Sequence, residues 1–406
     1  MIQRKETNRK KSILMLSWEY PPHIVGGLAR HVHALSIELV KRNYEIHVIS
    51  SMANGAPGYE KKDGVHIHRV VPLNDQDSHF ISWIGGLNLA AANLGLSIAR
   101  DTIVDVVHTH DWMTGPAAEF LSRSLGVPLA ATIHGTEYGR NKGIFTELQQ
   151  FVFDKEKALV HASEKVIVCS AYMADEVKQL FGEPENNISV IPNGSIMEEV
   201  SLQEIDVEKI YPFINRKKVI FSIGRIVKEK GFETLIKAAS ILKGTIPDLC
   251  FVIAGNGPLL ESYRQKVKDL SLEDSVYFIG FIQDGIRKGF LERADLTVFA
   301  SLYEPFGLAA AEGLAAGKPT IIAQTGGLQG LAENLKTGFY MEPGNVKSLV
   351  DTIKFILANE QLANKIALDG KIAVREKFSW AKNAKATDDL YQDLLITHSC
   401  EKEGLN

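Results

Sequence analysis

Residues 296–312, LTVFASLYEPFGLAAAE, contain the pattern that decides the fold. The apolar, β-branched run at 296–300 predicts a buried strand, and the alanine-rich segment at 307–316 predicts a helix soon after it. Proline, phenylalanine and glycine at 305–307 are typical of a turn that starts a helix. A strand, a short loop and a helix in this order predict the repeating unit of a parallel α/β sheet.

Two carboxylates, Glu304 and Glu312, stand at either end of the segment that joins this strand to its helix. They lie roughly two helical turns apart, on nearly one face. The helix start between them offers free backbone N–H groups and a positive dipole end to an anion. Because carboxylates also accept hydrogen bonds from hydroxyls, the pair suits a nucleotide sugar. Glutamate pairs also occur on solvated helices, but Glu304 follows a strand end, where open α/β sheets bind ligands.

Apolar strands alternate with helices along the whole chain, in two series separated by the irregular stretch 193–218. Strands are predicted at 13–18, 46–50, 104–109, 129–133 and 166–169, then at 219–223, 251–254, 276–278, 296–299 and 320–323. Helices of the second series and the tail are predicted at 232–242, 259–268, 346–357 and 378–400. The sequence therefore predicts an α/β protein with two Rossmann-like, doubly wound parallel-sheet domains, residues 1–205 and 206–377, facing each other across a cleft.

The composition restricts the class of protein. With 406 residues, 45% of them apolar and 23% charged, the chain has the composition of a soluble protein of two domains. A net charge of −4 gives no general attraction to nucleic acid. The three cysteines have neither disulfide nor zinc spacing, so we expect a reducing, cytoplasmic location. The basic tail at 1–11 is expected to be flexible.

One segment, residues 78–99, contains no Asp, Glu, Lys or Arg. Its length approaches that of a membrane span, but glycine and asparagine residues interrupt it, which favours a buried helix. A peripheral contact of this segment with a membrane or with an acceptor stays open.

Three strand ends carry residues that suit phosphate binding. Gly26 and Gly27 open the first helix directly after the first strand, where a bare backbone can approach a phosphate or sugar closely. They do not form the GxGxxG pattern of dinucleotide-binding proteins, which disfavours a nicotinamide dehydrogenase. Arg225 and Lys230 place two cations beside a later helix start, where they could neutralise a diphosphate leaving group. Asn256 lies in a third junction of this kind.

Histidines follow two strands of the first domain. His134 stands at a strand end before a glycine, a position that faces the predicted cleft. His108 and His110 have the spacing of a metal pair, but the sequence shows no convergent third ligand, so loop or supporting packing is the preferred interpretation. We therefore predict no metal site.

In combination these residues resemble the retaining glycosyltransferases of family 4, which have the GT-B fold. The resemblance covers nearly the whole chain, from Trp18 to Trp380. The stretches that carry it are Gly26-Gly27-Leu28, His134-Gly135, Ile191-Pro192-Asn193-Gly194, Gly224-Arg225, Lys230-Gly231, Glu304-Pro305-Phe306-Gly307-Leu308, Glu312 and Thr325-Gly326-Gly327. Each stretch is weak alone, and their common order and spacing make the combination specific.

The resemblance implies a role for each candidate residue. The side chains of Arg225 and Lys230 would bind the diphosphate of the donor. The backbone amides of Phe306, Gly307 and Leu308 would support it. Glu312 would hold the ribose hydroxyls, Glu304 the donor sugar, and His134 the sugar near its reacting carbon. Gly27 would close over the phosphates, and the backbone around Ile282 would meet the base. The catalytic candidates are thus His134, Glu304, Arg225 and Lys230, and the donor-binding candidates are Gly26, Gly27, Arg225, Lys230, Asn256, Ile282, Glu304, Phe306, Gly307, Leu308 and Glu312.

The same resemblance implies a mechanism and a helix that returns to the first domain. The leaving phosphate would assist deprotonation of the incoming hydroxyl on one face of the sugar, without a metal or other cofactor. The C-terminal helix at 378–400 would cross back to the first domain. Residues 107–115 and 18–22 favour the glycogen- and starch-synthase-like branch, with ADP- or UDP-glucose as donor and an α-glucan as acceptor. Ile24 and Phe306 depart from that branch, which usually has Lys and Cys there.

Three alternatives remain open at this point. The acceptor could be a lipid, a small metabolite or a cell-surface polymer. The reaction could be that of a nucleotide-sugar epimerase with the same fold, although the two glutamates argue against it. A protein that binds nucleotide sugars without catalysis is a third option. The sequence does not identify the acceptor, the sugar, the base or the oligomeric state.

Overall fold

A computed structural model describes residues 9–182, 185–195 and 205–404, which form two compact units. Unit 1 contains the described residues up to Ile191 together with those from Trp380 onward, and unit 2 contains those from Pro192 to Ser379. The sequence placed these divisions after residues 205 and 377. Residues 196–204, next to the first predicted boundary, and the first eight residues of the predicted flexible tail lie outside the described residues.

Unit 1 is built on an eight-stranded sheet in the order β3-β4-β2-β1-β5-β6-β7-β8. Its strands are β1 (Ser12–Leu16), β2 (Glu45–Ser51), β3 (Tyr59–Lys62), β4 (Val65–Val70), β5 (Val106–His110), β6 (Leu129–Ile133), β7 (Lys165–Val168) and β8 (Ile188–Val190). Neighbouring strands run parallel, apart from β3, which pairs antiparallel with β4 at the edge. The helices are α1 (Gly27–Lys41), α2 (Phe80–Asp101), α3 (Gly115–Leu125), α4 (Glu137–Asn141), α5 (Glu147–Ala162), α6 (Ala171–Phe181) and α14 (Trp380–Gly404).

Unit 2 is built on a six-stranded, all-parallel sheet in the order β11-β10-β9-β12-β13-β14. Its strands are β9 (Lys218–Ile223), β10 (Leu249–Ala254), β11 (Val276–Gly280), β12 (Leu296–Phe299), β13 (Thr320–Ala323) and β14 (Phe339–Met341). Its helices are α7 (Val207–Ile210), α8 (Phe232–Leu242), α9 (Leu260–Asp269), α10 (Asp284–Arg293), α11 (Leu308–Ala315), α12 (Val346–Ala358) and α13 (Glu360–Lys377). The prediction of two Rossmann-like parallel-sheet domains is confirmed.

Each sheet has a switch point, where the direction of strand addition reverses. In unit 2, β10 and β11 lie on one side of β9, while β12 to β14 lie on the other, so the switch point is between β9 and β12. In unit 1 it is between β1 and β5. At such a point the loops after the two central strands diverge and leave a crevice at the carboxyl edge, the usual place for a ligand in an open α/β sheet.

Four strands have no counterpart in the sequence prediction, and each lacks a long apolar run. The edge strand β3, with the sequence YEKK, is polar and mostly exposed. β4 alternates apolar residues with histidine and arginine. β8 and β14 have three residues each. Such strands form because a neighbouring strand offers free backbone groups, a tertiary effect that local propensity does not contain.

Candidate active site

Two loops leave the carboxyl edge of the unit 2 sheet at its switch point. The N–H of Leu302, in the loop after β12, donates to the carbonyl of Glu229, in the turn after β9, over 2.7 Å. That turn is a short 3₁₀ helix over Lys228–Lys230. The two loops therefore fix each other and the side chains that they carry.

An ion pair joins these loops at the level of the side chains. Lys230 Nζ lies 2.6 Å from Glu304 Oε2, and Ser301 Oγ donates to the same oxygen over 3.1 Å. Both charged side chains are partly buried, with 28% of Lys230 and 14% of Glu304 exposed. Charge-assisted hydrogen bonds in such a setting orient both partners. The structure thus brings together two predicted site residues that stand far apart in the sequence.

The helix α11 begins directly after this pair. Gly307 precedes its first residue with a φ of 100°, and its carbonyl accepts the N–H of Ala311 over 2.9 Å. The ring of Phe306 is buried and meets that of Phe378 edge-on, with 5.4 Å between centroids. Packing thus occupies the Phe306 side chain, and a ligand at this helix start would meet backbone N–H groups.

Glu312 is buried within α11 and paired with a cation that sequence reasoning missed. Arg287 Nη1, from α10, donates to Glu312 Oε1 over 3.0 Å, and Arg287 Nη2 lies 3.4 Å from Asp284 Oδ1. Glu312 Oε2 is buried and accepts no hydrogen bond from any residue that the structure describes. An unsatisfied buried carboxylate oxygen is costly, so this atom is suited to accept a hydroxyl donor from a ligand.

The other predicted donor residues of unit 2 follow neighbouring strands at the same edge. Arg225 comes after β9 and Asn256 after β10, and both are exposed. The N–H of Ile226 donates to the carbonyl of Asn256 over 2.8 Å, which links these two loops. Ile282, after β11, has its side chain 5% exposed, so its backbone is the part that could meet a base.

A glycine pair holds the loop that carries Glu304. The N–H of Gly327 donates to the carbonyl of Glu304 over 2.8 Å. A Cβ on Gly327 would stand 2.0 Å from the carbonyl oxygen of Pro305, and one on Gly326 would stand 2.3 Å from that of Glu304. Because these neighbours are backbone atoms, a side chain at either glycine would displace the loop. The glycine signal at 326–327 therefore has a structural cause.

In unit 1, the start of α1 is held by a buried carboxylate. Glu19, in the loop after β1, accepts the N–H groups of Val25, Gly26 over 3.2 Å and Ala29 over 3.3 Å. Burial raises the pKa of Glu19, and these backbone donors oppose the shift. The predicted anion site at Gly26 and Gly27 is thus partly filled by a side chain of the same unit.

His134 lies directly after β6, beside two other imidazoles. The backbone N–H of His134 donates to Asp111 Oδ1 over 2.7 Å. Asp111, which follows β5, adopts a positive φ of 60°. His110 Nδ1 lies 3.2 Å from His134 Nε2, and the His31 ring stands 4.6 Å from that of His134 between centroids. Burial, with a smaller contribution from Arg140, lowers the pKa of His134 to about 3, so its imidazole is neutral at physiological pH.

The two histidines of the predicted metal-like pair have different surroundings, and both lie in β5 and not in a loop. Both ring nitrogens of His108 already have hydrogen-bond partners, because Nδ1 lies 2.6 Å from Tyr391 Oη and Nε2 lies 2.7 Å from Thr132 Oγ1. His110 instead joins His31 and His134, with one nitrogen of each within 4.8 Å of the others. A third imidazole therefore does converge on this position, which the sequence interpretation did not foresee.

Comparisons with known proteins agree with this architecture. Residues 25–197 match the family described as Glycosyltransferase Family 4, and residues 204–372 match Glycosyl transferases group 1. An uncharacterised glycosyltransferase of Methanocaldococcus jannaschii is 32% identical over 94% of this chain and 97% of its own length. The glycogen synthase of Mycobacterium tuberculosis is 32% identical over 93% of this chain and 94% of its own.

The chain belongs to glycosyltransferase family 4. It is a hexosyltransferase with the GT-B fold, and the family resemblance predicted from sequence is confirmed. Among solved structures, the sucrose-phosphate synthase of Thermosynechococcus elongatus superposes with a TM-score of 0.83, at 22% identity, over 96% of this chain and all of that one. That likeness concerns the fold.

The apolar segment of this glycosyltransferase forms α2, a helix packed within unit 1. It is the one helix of the described residues that is long and apolar enough to cross a membrane, judged by length and composition alone, and 44% of its most apolar window is buried. Asn88 donates to the carbonyl of Met113 over 2.8 Å and accepts the N–H of Ala117 over 2.9 Å. These polar contacts hold one face of α2 against the residues that follow β5.

Several residues of the glycosyltransferase site gave no signal in the sequence analysis. Arg287 lies in an ordinary charged helix, and Ser301 in a loop. Asp111 and Glu19 stood within stretches used for the family resemblance, and their positions directly after β5 and β1 could have indicated them. His31 lies within α1, and its approach to His134 depends on the packing of that helix over the sheet.

A further buried carboxylate, Glu156 of α5, supports the segment after His134. Both its oxygens accept the N–H of Glu137, over 2.9 and 3.0 Å, at the start of α4. Burial raises the pKa of Glu156 to about 8, and the charge of Arg140 opposes this effect. Between about pH 4.5 and 8 the folded protein therefore keeps a proton on Glu156 that the unfolded chain, with its carboxyl pKa near 4.5, has already released.

This proton binding predicts that the contribution of Glu156 to the stability of unit 1 falls as pH rises from about 4.5 to 8. Glu156→Gln removes the titration, so its free energy of unfolding relative to wild type should increase by more than about 1 kcal/mol between pH 5 and pH 8. Urea unfolding followed by tryptophan fluorescence is selective, since all four tryptophans, Trp18, Trp83, Trp112 and Trp380, lie in unit 1. In the control Asp154→Asn, which removes an exposed carboxylate of α5, the free energy of unfolding should change with pH as it does in wild type. A Glu156→Gln curve parallel to wild type would contradict the assignment.

The two glycine motifs should respond differently to alanine. Gly327→Ala should lower the melting temperature by at least about 2–4 °C, the shift that 1 kcal/mol produces in a domain of this size, and reduce glycosyl transfer. Gly26→Ala should melt as wild type, because a Cβ there meets no described atom within 4 Å at an ordinary φ, and should still reduce transfer if a ligand approaches this backbone. Calorimetry and a transfer assay measure both. A destabilised Gly26→Ala, or a Gly327→Ala that melts as wild type, would contradict this account.

Proposed function

We propose that this enzyme transfers a hexose, glucose in the first instance, from a nucleoside-diphosphate sugar to an acceptor hydroxyl with retention of configuration and without a metal. The observation that carries the proposal is the junction from β12 to α11. This short segment contains Glu304, the start of α11 and the unsatisfied oxygen of Glu312. Lys230 contacts the segment through its ion pair with Glu304. A cation, an anion cradle and two hydroxyl acceptors match the parts of a nucleotide sugar.

The donor diphosphate is assigned to the cationic side of this junction. Lys230 and the exposed Arg225 both follow β9, and the N-terminus of α11 adds backbone N–H groups. As the bond to the sugar breaks, negative charge grows on the diphosphate. Fixed cations and N–H groups stabilise that charge without reorganising, which lowers the barrier of the chemical step.

The two glutamates are assigned to the two sugars of the donor. Glu312 Oε2 accepts a ribose hydroxyl, while Arg287 on the other oxygen keeps the carboxylate in place. Glu304 accepts hydroxyls of the transferred hexose. His134, as a neutral imidazole, is assigned to a hydrogen bond with that hexose near its reacting carbon.

Retention follows from the proposed proton route. The acceptor hydroxyl attacks the anomeric carbon from the face that the diphosphate leaves, and its proton passes to the leaving phosphate oxygen. The new C–O bond forms as the old one breaks, through a transition state with oxocarbenium character. The protein's part is orientation and charge stabilisation, so no metal and no cofactor is required.

An α-glucan is the proposed acceptor, in a cytoplasmic enzyme. Support comes from the M. tuberculosis relative, which is a glycogen synthase and is aligned over nearly the whole chain. Ile24 and Phe306 differ from the residues usual in that branch, so a lipid, a small metabolite or a cell-surface polymer is the alternative acceptor.

The test measures release of nucleoside diphosphate from a panel of ADP- and UDP-sugars, with and without glycogen or maltooligosaccharides. Release from ADP- or UDP-glucose that glucan stimulates is the expected result. Release that glucan does not change would exclude the glucan acceptor and keep the donor site. A change in the donor sugar without any acceptor would favour an epimerase and overturn the proposal.

Lys230→Ala should reduce transfer by at least 100-fold, on the order of 3 kcal/mol of transition-state stabilisation, while the melting temperature changes little. The matched control is Lys228→Ala, which removes an exposed lysine from the same 3₁₀ turn and should keep near-normal turnover. Steady-state rates and calorimetry check both. Equal turnover of the two variants would refute the role of Lys230.

A further inference from the structure

A second group of polar side chains lies in unit 1, near the amino ends of β2 and β4 and therefore away from the carboxyl ends of the strands. His47 of β2 is in register with His66 of β4. Glu45 precedes His47 by two residues and His68 follows His66 by two, so all four side chains project from one face of the sheet. At about 3.3 Å per residue, His47 and His66 lie roughly 13 Å, and Glu45 roughly 20 Å, from the carboxyl ends of their strands.

Three of these side chains bring possible ligand atoms close together. His47 Nε2 lies 3.7 Å and His66 Nε2 lies 3.8 Å from Glu45 Oε1. One ligand atom of each residue falls within 4.8 Å of the others. Four-coordinate zinc with bonds of about 2.0–2.2 Å sets its ligand atoms roughly 3.3–3.5 Å apart. The triad reaches that geometry when side-chain rotation draws the three atoms together and tilts the His47 and His66 rings, which now stack with 4.5 Å between centroids.

The second nitrogen of each imidazole is held by a partner behind it. His47 Nδ1 lies 3.1 Å from His68 Nε2, and His66 Nδ1 lies 3.0 Å from the Tyr59 hydroxyl. The tautomer that donates from Nδ1 leaves the Nε2 lone pair directed toward Glu45. Such outer contacts fix the ring and its tautomer in metal-binding histidines.

His47 Nε2 is left unsatisfied in this arrangement. It is buried and makes no hydrogen bond with any described residue. A buried nitrogen without a hydrogen-bond partner is a position where a ligand can bind.

We propose that Glu45, His47 and His66 bind a divalent transition-metal ion of the Zn²⁺ class, at a site separate from the proposed donor site. Two imidazoles and a carboxylate suit zinc, and a solvent molecule completes the coordination. That molecule comes from an open cavity of about 520 Å³, whose lining includes Glu45, His66 and Asp101. Bound metal joins β2 to β4 and so stabilises the edge of the sheet.

The test titrates Zn²⁺ into the metal-free full chain, without a polyhistidine tag, against a chromophoric chelator. The variant His134→Gln serves as the background, because it takes one of the three imidazoles from the other histidine group, that of His31, His110 and His134. One equivalent of Zn²⁺ per chain should bind in this background. Adding His66→Gln or Glu45→Gln to this background should weaken the affinity for Zn²⁺ at least tenfold. Adding His79→Gln, which replaces an exposed histidine, should leave the affinity unchanged.

Two further readouts separate a built site from loose surface binding. Co²⁺ in the same site should give the intense visible absorption of a four-coordinate ion. Zn²⁺ should raise the unfolding midpoint of unit 1, followed by tryptophan fluorescence, and should not raise it in Glu45→Gln. Glu45 is partly exposed, so Glu45→Gln keeps the test valid even if His66→Gln fails to fold. Absence of binding in the His134→Gln background, or binding that survives both substitutions, would overturn the proposal.

Discussion

The Lys230–Glu304 ion pair links the two loops at the switch point of unit 2, and the proposed donor chemistry depends on it. Each partner follows a different central strand, and the backbone bond between Leu302 and Glu229 keeps the loops in register. Without a ligand, the carboxylate balances the ammonium charge in this partly exposed pair. With a diphosphate bound, Lys230 gains a second anion from a position that is already fixed. Orientation is thus supplied before the reaction and not during it.

The Arg287–Glu312 pair shows the same principle at greater burial. Taking two charges out of water is expensive, and a well-packed apolar pair at this position could be as stable. The arrangement instead leaves Glu312 Oε2 without a donor inside the described part of unit 2. A stability argument alone does not account for that atom, whereas a ligand hydroxyl does. In unit 1, Glu19 shows the contrasting case, because backbone N–H groups just before and within the first turn of α1 already satisfy it.

The fold and much of unit 2's candidate site were predictable because their signals are local. The strand, loop and helix around Glu304 stand in one short segment, and strand ends in parallel sheets meet at one edge. Arg287, His31 and the Glu45 group were not predictable, since each depends on which strands and helices become neighbours. β4 illustrates the cause: a polar strand has little intrinsic signal, yet its pairing with β2 brings His66 to His47.

The central claim is that Glu312 recognises the ribose of a nucleotide donor, and equilibrium binding tests it most directly. ADP and UDP would be compared with their 2′,3′-dideoxy forms, on wild type, Glu312→Gln and the exposed control Glu333→Gln. Wild type and control should bind the better ribonucleotide at least tenfold more tightly than its dideoxy form, about 1.4 kcal/mol. In Glu312→Gln this preference should nearly vanish. A preference that persists in full in Glu312→Gln would contradict the account.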